Sequence, residues 1–363
     1  MKHLLSFALI LRASIFFSQT VNPPENLIIV TTDGFRWQEV FKGMDSVIVE
    51  MPKFNQNKKE ELYKKYGAAS PEDRRKKLLP FIWNTMATKG QIYGNRTLGN
   101  KVDNSNPYWF SYPGYSEIFC GYVDTAVNSN AYKANPNTNV LEYINKQPGF
   151  TKKVAAFGAW NAFDRILNEQ RSGFPVTSGG ETCNNNDPTQ KLLGEMKRDS
   201  YTPFDTAEYL DVFTNYQAMN YLKKEQPRVL YISYGETDEW AHAGNYYDYL
   251  DAAHRVDKWL NDLWNYIQSS AQYKNKTALL ITVDHGRGDA NKSEWTSHNS
   301  KIADSHEIWF AVISPSIEAK GEMRTNVQLY QKQYAQTFAK LLNLKFTCEH
   351  DVAPEVKEIF EKK

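Results

Sequence analysis

The chain has 363 residues, of which 41% are apolar and 23% charged, the balance of one large or two ordinary globular domains and not of a disordered polymer. Forty-three basic against forty-two acidic side chains leave a net charge of +1. That balance excludes, as a starting point, a strongly basic nucleic-acid binder, an acidic tail and a polybasic membrane-surface protein.

In chain order, Met1-Lys2-His3 leads into an apolar stretch over residues 4–17 and a small or polar exit at Ser18-Gln19-Thr20. This is the pattern of a signal peptide over 1–19; a buried first helix is the competing reading. The stretch is too short to span a bilayer, and Arg12 interrupts it. Asn22-Pro23-Pro24 then breaks any continuing helix. No further run of about 18 apolar residues occurs, so residues 20–363 are expected to form a single domain without a membrane span, periplasmic or secreted. Residues 26–32 form a continuous apolar run, as for a strand buried on both faces. Residues 153–157, 228–233, 277–283 and 308–313 read the same way. The charged, helix-prone stretch 55–77 predicts a solvated helical excursion, part of a helical insertion over about 50–90. Helical periodicity covers about 247–269 and 326–344. Strand, helix, strand at this spacing predicts an α/β fold, a mostly parallel central sheet flanked by helices, with ligands outside the carboxyl ends of the strands. Cys183 and Cys348 could pair in an exported chain; three free thiols is the plainer expectation, and no CxxC site is present.

The chemistry-bearing residues sit where those strands end. Asp33 follows the first, Asp238 and His242 follow 228–233, and Asp284-His285-Gly286 follows 277–283. A single Asp past a strand is commonly a turn or helix-cap residue. Carboxylates and imidazoles gathered at one end of a parallel sheet instead suit one or two divalent ions, zinc first. Asp238 and His242 are four apart and share a face of a helical turn. His254 reads as an ordinary surface or packing residue, and His350 is assigned no role. Ser111 precedes Pro113-Gly114, read as a turn, with a helix starting near Tyr115 whose free N–H groups suit a phosphate. Ser111 as a mere turn cap is the competing reading.

Together these pieces resemble the alkaline phosphatase superfamily, in particular its nucleotide pyrophosphatase/phosphodiesterase and phosphoglycerate-mutase-like branches, over most of the chain from Asp33 to the C-terminal helix. Thr-Asp33-Gly34 resembles the first ligand strand and Ser111-Tyr-Pro-Gly-Tyr the nucleophile turn. Asp238-Glu-Trp-Ala-His242 resembles the family's Asp-x-x-x-His, and Asp284-His285-Gly286 its strand-Asp-His-Gly. The resemblance implies an alkaline-phosphatase-like core and two divalent ions, zinc by expectation. One ion would be held by Asp238, His242 and a downstream His, the other by Asp33, Asp284, His285 and Ser111. For the downstream ligand His298 is preferred over His306, which is expected at the entry of the last strand, opposite the site edge. Asn130, with Asn128 as its rival, would hold a phosphoryl oxygen. Ser116 is the rival nucleophile, expected to be a capping hydroxyl.

The implied activity is hydrolysis of a small-molecule phosphate ester by in-line displacement at phosphorus through a phosphoserine on Ser111. No nucleic-acid duplex is expected as partner. A phosphodiesterase is preferred to a phosphate monoesterase. A monoesterase would need extra positive charge, for which Arg165, Arg171 and Lys133 are candidates, with plain surface residues as the competing reading for the two arginines. The aromatic run 108–112 could wall a diester pocket, with core packing as its alternative. A sulfatase would require an Arg where Tyr115 stands. A phosphoglycerate mutase would require an extra domain that is not evident, and an inactive metal-binding protein would not need Ser111.

Overall fold

A computed structural model describes residues 23–183, 186–204 and 208–362, so the expected signal peptide lies outside the described residues. The first strand, β1 (Asn26–Thr32), is buried along its whole length, as its unbroken apolar run requires. The others in chain order are β2 (Gln91–Tyr93), β3 (Asn100–Asp103), β4 (Val154–Gly158), β5 (Val176–Ser178), β6 (Val229–Tyr234), β7 (Thr277–Thr282), β8 (Glu307–Ile308), β9 (Phe310–Ile313), β10 (Gly321–Glu322) and β11 (Val327–Tyr330). Eight form one sheet in the order β10-β2-β9-β7-β1-β6-β4-β5, and β11-β3-β8 form a second. β1 lies between β6 and β7, parallel to both, and β4 runs parallel to β6. The architecture is the expected α/β one, a mostly parallel central sheet flanked by helices.

Two predicted elements need correction. The run 308–313 is not one strand: it breaks at Trp309, whose carbonyl accepts from Thr282 Oγ1 at 2.8 Å and whose indole N–H donates to Phe35 O at 2.9 Å. β8 joins the small sheet, while β9 crosses β7 antiparallel. The helix expected over 326–344 is β11 followed by a short turn and a helix at Tyr334–Leu341. The alternation Val-Gln-Leu-Tyr, with only Leu329 buried, has a period of two, and it pairs with β3.

Helices cover the sheet. The longest, Tyr246–Ser269, buries Leu250, Val256, Leu260, Leu263 and Ile267 in one stripe. The charged stretch forms helices Lys59–Tyr66 and Pro71–Leu78, the second capped by Ser70 Oγ. It is more firmly seated than a solvated excursion would be. Leu62, Tyr66 and Leu78 are buried, and Arg75 pairs with Glu322 at 2.9 Å while lying over the Trp83 ring. Asp257 of the long helix accepts from Phe81 N and Ile82 N at 2.7 and 2.9 Å, closing the segment onto the core. The carboxyl ends of β1, β4, β6 and β7 thus meet along one edge.

Candidate metal centre and nucleophile helix

Asp33 leaves β1 with its N–H still on the ladder, donating to Tyr234 O at 2.9 Å. The next residue must be glycine. Gly34 has φ +56°, and a Cβ there would fall 2.6 Å from Asp238 Oδ1 and 3.1 Å from His285 Cε1. Its N–H donates to Asp284 Oδ1 at 3.1 Å, and Tyr115 OH donates to Asp33 Oδ2 at 3.0 Å. Each carboxylate keeps one oxygen over: Asp33 Oδ1 and Asp284 Oδ2 are buried without a hydrogen-bond partner, and each lies 3.3 Å from His285 Nε2. His285 Nδ1 faces Gly286 O at 2.9 Å, which leaves Nε2 as the ring's lone-pair side.

A second cluster adjoins the first. Asp238 and His242 lie on the helix Glu236–His242, with His242 Nε2 3.0 Å from Asp238 Oδ2. His298 Nε2 is 3.0 Å from His242 Nε2 and 3.7 Å from Asp238 Oδ1, and its ring stacks on His285 at 3.9 Å. Its Nδ1 faces Trp109 O at 3.3 Å. Arg287, fully buried, pairs through Nη2 with Asp238 Oδ1 and donates to Asp238 O at 3.1 Å. His298 therefore stands in the cluster and His306 outside it, but not for the reason expected from sequence. Because β9 runs antiparallel to β7, the entry to 307–313 is at the site end. His306 is turned away there, its Nδ1 on Ala303 O at 2.8 Å and its ring against Trp109 at 4.9 Å.

The electrostatics ask for cations. Burial, with Asp33 beside it, pushes the Asp284 carboxyl well above the usual carboxylate range. Burial lowers His285, but Asp284, Asp33 and Asp238 outweigh it and lift the imidazole to about 9. Burial and the neighbouring His285 hold His298 well below the ordinary imidazole value. Buried carboxylate oxygens with no donor are costly, and an imidazole lone pair aimed between two of them is a ligand set for a borderline divalent ion. The groups Asp33–Asp284–His285 and Asp238–His285–His298 each converge closely enough to hold one. The two groups share His285, and the residues present fit a divalent ion.

Ser111 begins the helix Ser111–Cys120 and does not precede a turn. Pro113 falls in the first helical turn, where an N–H would be unused, so the dipeptide that reads as a turn in sequence is compatible with a helix start four residues earlier than predicted. Ser111 is buried, with Oγ 3.4 Å from His285 Nε2. Asn130 Oδ1 accepts from Tyr112 N at 3.0 Å, which places its carboxamide at the helix N-terminus; Asn128 and Asn130 are both exposed, and Asn128 carries no such contact. Ser116 is buried on another side, accepting from Asn135 Nδ2 at 2.9 Å. Of the offered cations, Arg171 is spent on Glu142 and the carbonyls of Asn135, Pro136 and Asn137, and Arg165 on Tyr132 O at 2.5 Å. Lys133 is exposed. In the aromatic run Tyr112 is core, while Tyr108, Trp109 and Phe110 are half-buried. His254 packs on Tyr66 and Leu78 O, and His350 on Tyr122. The three cysteines are free.

Sequence reasoning missed the residues that hold the two clusters in place. Tyr115 is four residues after Ser111, one helical turn on, and that spacing could have flagged it. Arg287 directly follows the Asp-His-Gly motif. Asn104 and Gln331, which donate to Asp284 O at 2.7 and 2.8 Å, carry no sequence signal at all.

A family model described as type I phosphodiesterase / nucleotide pyrophosphatase matches residues 27–359. Among curated proteins, a 2,3-bisphosphoglycerate-independent phosphoglycerate mutase of Gracilaria tenuistipitata var. liui is 29% identical over 136 residues, 36% of this chain; the match spans only 24% of that protein's length. Among solved structures, the alkaline phosphatase PafA superposes with a TM-score of 0.59 at 10% identity over 94% of this chain and 99% of that one. The phosphonate monoester hydrolase SpPMH of Silicibacter pomeroyi gives 0.55 at 12% identity over 92% and 76%. The lipoteichoic acid synthase LtaP of Listeria monocytogenes gives 0.56 at 13% identity over 88% and 72%. At these identities the superpositions speak for the fold.

Proposed function

We propose that this chain, which belongs to the type I phosphodiesterase / nucleotide pyrophosphatase family of the alkaline phosphatase superfamily, is a two-metal phosphodiesterase that acts on small phosphate esters through a phosphoserine on Ser111. One observation carries the reading. Two buried carboxylate oxygens without partners, Asp33 Oδ1 and Asp284 Oδ2, flank His285 Nε2, and Ser111 Oγ lies 3.4 Å from that same nitrogen at a helix N-terminus.

Asp33, Asp284 and His285 would hold one divalent ion and Asp238, His242 and His298 the other, zinc being the first candidate. Bound there, the ions supply Lewis-acid stabilisation of charge on the attacking and leaving oxygens. The chain's own residues do the positioning. Tyr115 fixes the Asp33 carboxylate. The Ser111 N–H at the start of its helix and Asn130 Nδ2 are the donors for a phosphoryl oxygen, because Tyr112 N is taken by Asn130 Oδ1 and Pro113 has no N–H. Ser111 Oγ forms its bond to phosphorus as the bond from phosphorus to the leaving oxygen breaks, and water then displaces the serine. The preference for a diester rests on charge. Arg165 and Arg171 are engaged with other partners, while half-buried Tyr108, Trp109 and Phe110 lie next to Ser111 and offer apolar surface for a second ester group. Residues 1–19 are read as a signal peptide and 20–363 as one catalytic domain, periplasmic or secreted; among the described residues no helix is long and apolar enough to cross a membrane.

The test is a paired assay of zinc-loaded protein on bis-p-nitrophenyl phosphate and p-nitrophenyl phosphate, with and without EDTA. Diester preference lost to EDTA is the expected result. Monoester preference would make the protein an alkaline-phosphatase-like monoesterase. No turnover of either substrate by protein carrying two ions would overturn the reading.

A further inference from the structure

Trp109, two residues before Ser111, has φ +54°. A bulky side chain holds this left-handed conformation only where its surroundings over-determine it, and such positions gather at functional sites. The surroundings here are explicit. Asn106 Oδ1 accepts from Tyr108 N and Trp109 N at 3.0 and 3.1 Å. Asn106 is itself buried and fixed by Glu117 Oε2, which accepts from its N and Nδ2 at 2.9 and 2.8 Å. Glu117 also takes Ser105 N and Lys332 N, and it is buried on the Ser111 helix. The outcome of this chain of bonds is the direction of one carbonyl: Trp109 O, 3.3 Å from His298 Nδ1.

A carbonyl on Nδ1 keeps the proton there and leaves Nε2 with its lone pair, and Nε2 is the atom that faces Asp238 and His242. His285 has its own acceptor, Gly286 O, and does not depend on Trp109. We propose that Trp109 is a positioning residue whose left-handed backbone, set by Glu117 and Asn106, seats His298 as ligand of the second ion and ties that ligand to the helix that carries Ser111. This rests on the two-metal reading above. The side chain matters less than the backbone, since the indole lies against His306, outside the cluster.

The test uses metal-free full-length chain titrated with Co2+, whose visible spectrum reports the coordination of each ion, and then with Zn2+ against a competing chelator. Asn106→Ala should weaken the second ion by about 10- to 100-fold and leave the first unchanged. Trp109→Gly, which adopts this φ freely, should bind the second ion at close to the wild-type affinity. Trp109→Val, with a β-branched side chain that resists this φ, should lose it as Asn106→Ala does. His298→Ala sets the reference for full loss. The inference is overturned if Asn106→Ala and Trp109→Val bind both ions like the wild type, or if Trp109→Gly loses the second ion as completely as Trp109→Val. A wild-type chain that takes up only the first ion would overturn this inference and leave the Ser111 site standing. Uptake of no divalent ion would instead remove the two-metal reading itself.

Discussion

Gly114→Ala sets two effects of known size against each other. Gly114 lies inside the helix Ser111–Cys120, where alanine is better than glycine by about 1 kcal/mol. A methyl there, however, would sit 2.6 Å from the carbonyl oxygen of Asp284, 3.1 Å from its carbonyl carbon and 3.3 Å from its Cβ. The closest approach is about 0.5–1 Å short of a relaxed contact. The obstacle cannot swing aside, because it is backbone at the end of buried β7, and its oxygen is held by Asn104 Nδ2 and Gln331 Nε2. Overpacking of this kind costs about 1–3 kcal/mol, so the net effect is a loss of roughly 0–2 kcal/mol. Turnover should suffer more than stability. The helix relieves the overlap by moving, Ser111 moves with it, and a displacement approaching 1 Å in a reacting group costs about 100-fold. The expected result is a kcat on bis-p-nitrophenyl phosphate down by about 10- to 100-fold, with a melting temperature lower by no more than a few degrees. Undiminished turnover with a raised melting temperature would refute the reasoning, because it would mean that this contact does not set the position of Ser111.

The remaining predictions concern the proposed nucleophile, the support of a proposed ligand and a buried charge. Ser111→Ala should abolish turnover while elemental analysis still finds two ions per chain; surviving turnover would remove Ser111 as nucleophile. Tyr115→Phe withdraws the donor from Asp33 Oδ2 and leaves that buried oxygen unpaired, so the first ion should weaken by about tenfold in a chelator competition. Lys197 is held down to about 8 by burial, against Asp211 and Glu181, which raise it. The unfolded chain therefore binds more protons than the folded one between pH 8 and the ordinary lysine value of 10.5, and this group's penalty shrinks as pH rises through that window. Lys197→Met should thus be more stable than wild type to urea at pH 7, with the advantage fading by pH 10.5; a difference independent of pH would contradict the assignment.

The parallel core was legible because strands buried on both faces read as unbroken apolar runs, and β1, β6 and β7 deliver Asp33, Asp238 and Asp284 at their carboxyl ends. The His285 position follows from motif order, whereas the preference for His298 over His306 rests on an argument from strand direction that the structure does not bear out. What failed was local. Pro113-Gly114 has the composition of a turn, but the proline sits where a helix needs no N–H and the glycine where Asp284 leaves no room for a side chain. The second fact is tertiary, and no window of sequence contains it. The same holds for the direction of the last strand. Rejecting His306 by its place at a strand entry assumed a parallel strand, whereas β9 is antiparallel, and a ring contact with Trp109 decides where His306 goes. Supporting residues such as Asn104, Asn106 and Gln331 have no motif, because their role is defined by a carbonyl or carboxylate far away in the chain.

The place of β1 has a consequence for biosynthesis. It is the first strand to be made, yet its two sheet partners, β6 and β7, lie about 200 and 250 residues downstream, which at about 5–20 residues per second is a wait of roughly 10–50 seconds. β4 is synthesised in the interval, and in the finished sheet it stands two places from β1, with β6 between them. A nascent chain can therefore pair β1 with β4 prematurely, and β6, the strand that leads to Asp238 and His242, must then enter between two strands already in place. Sequence separations this large make refolding slow and the waiting strand a target for aggregation or for a holding chaperone. The proposed ligands run from Asp33 to His298, so no fragment from the N-terminal end that stops short of His298 contains the whole set.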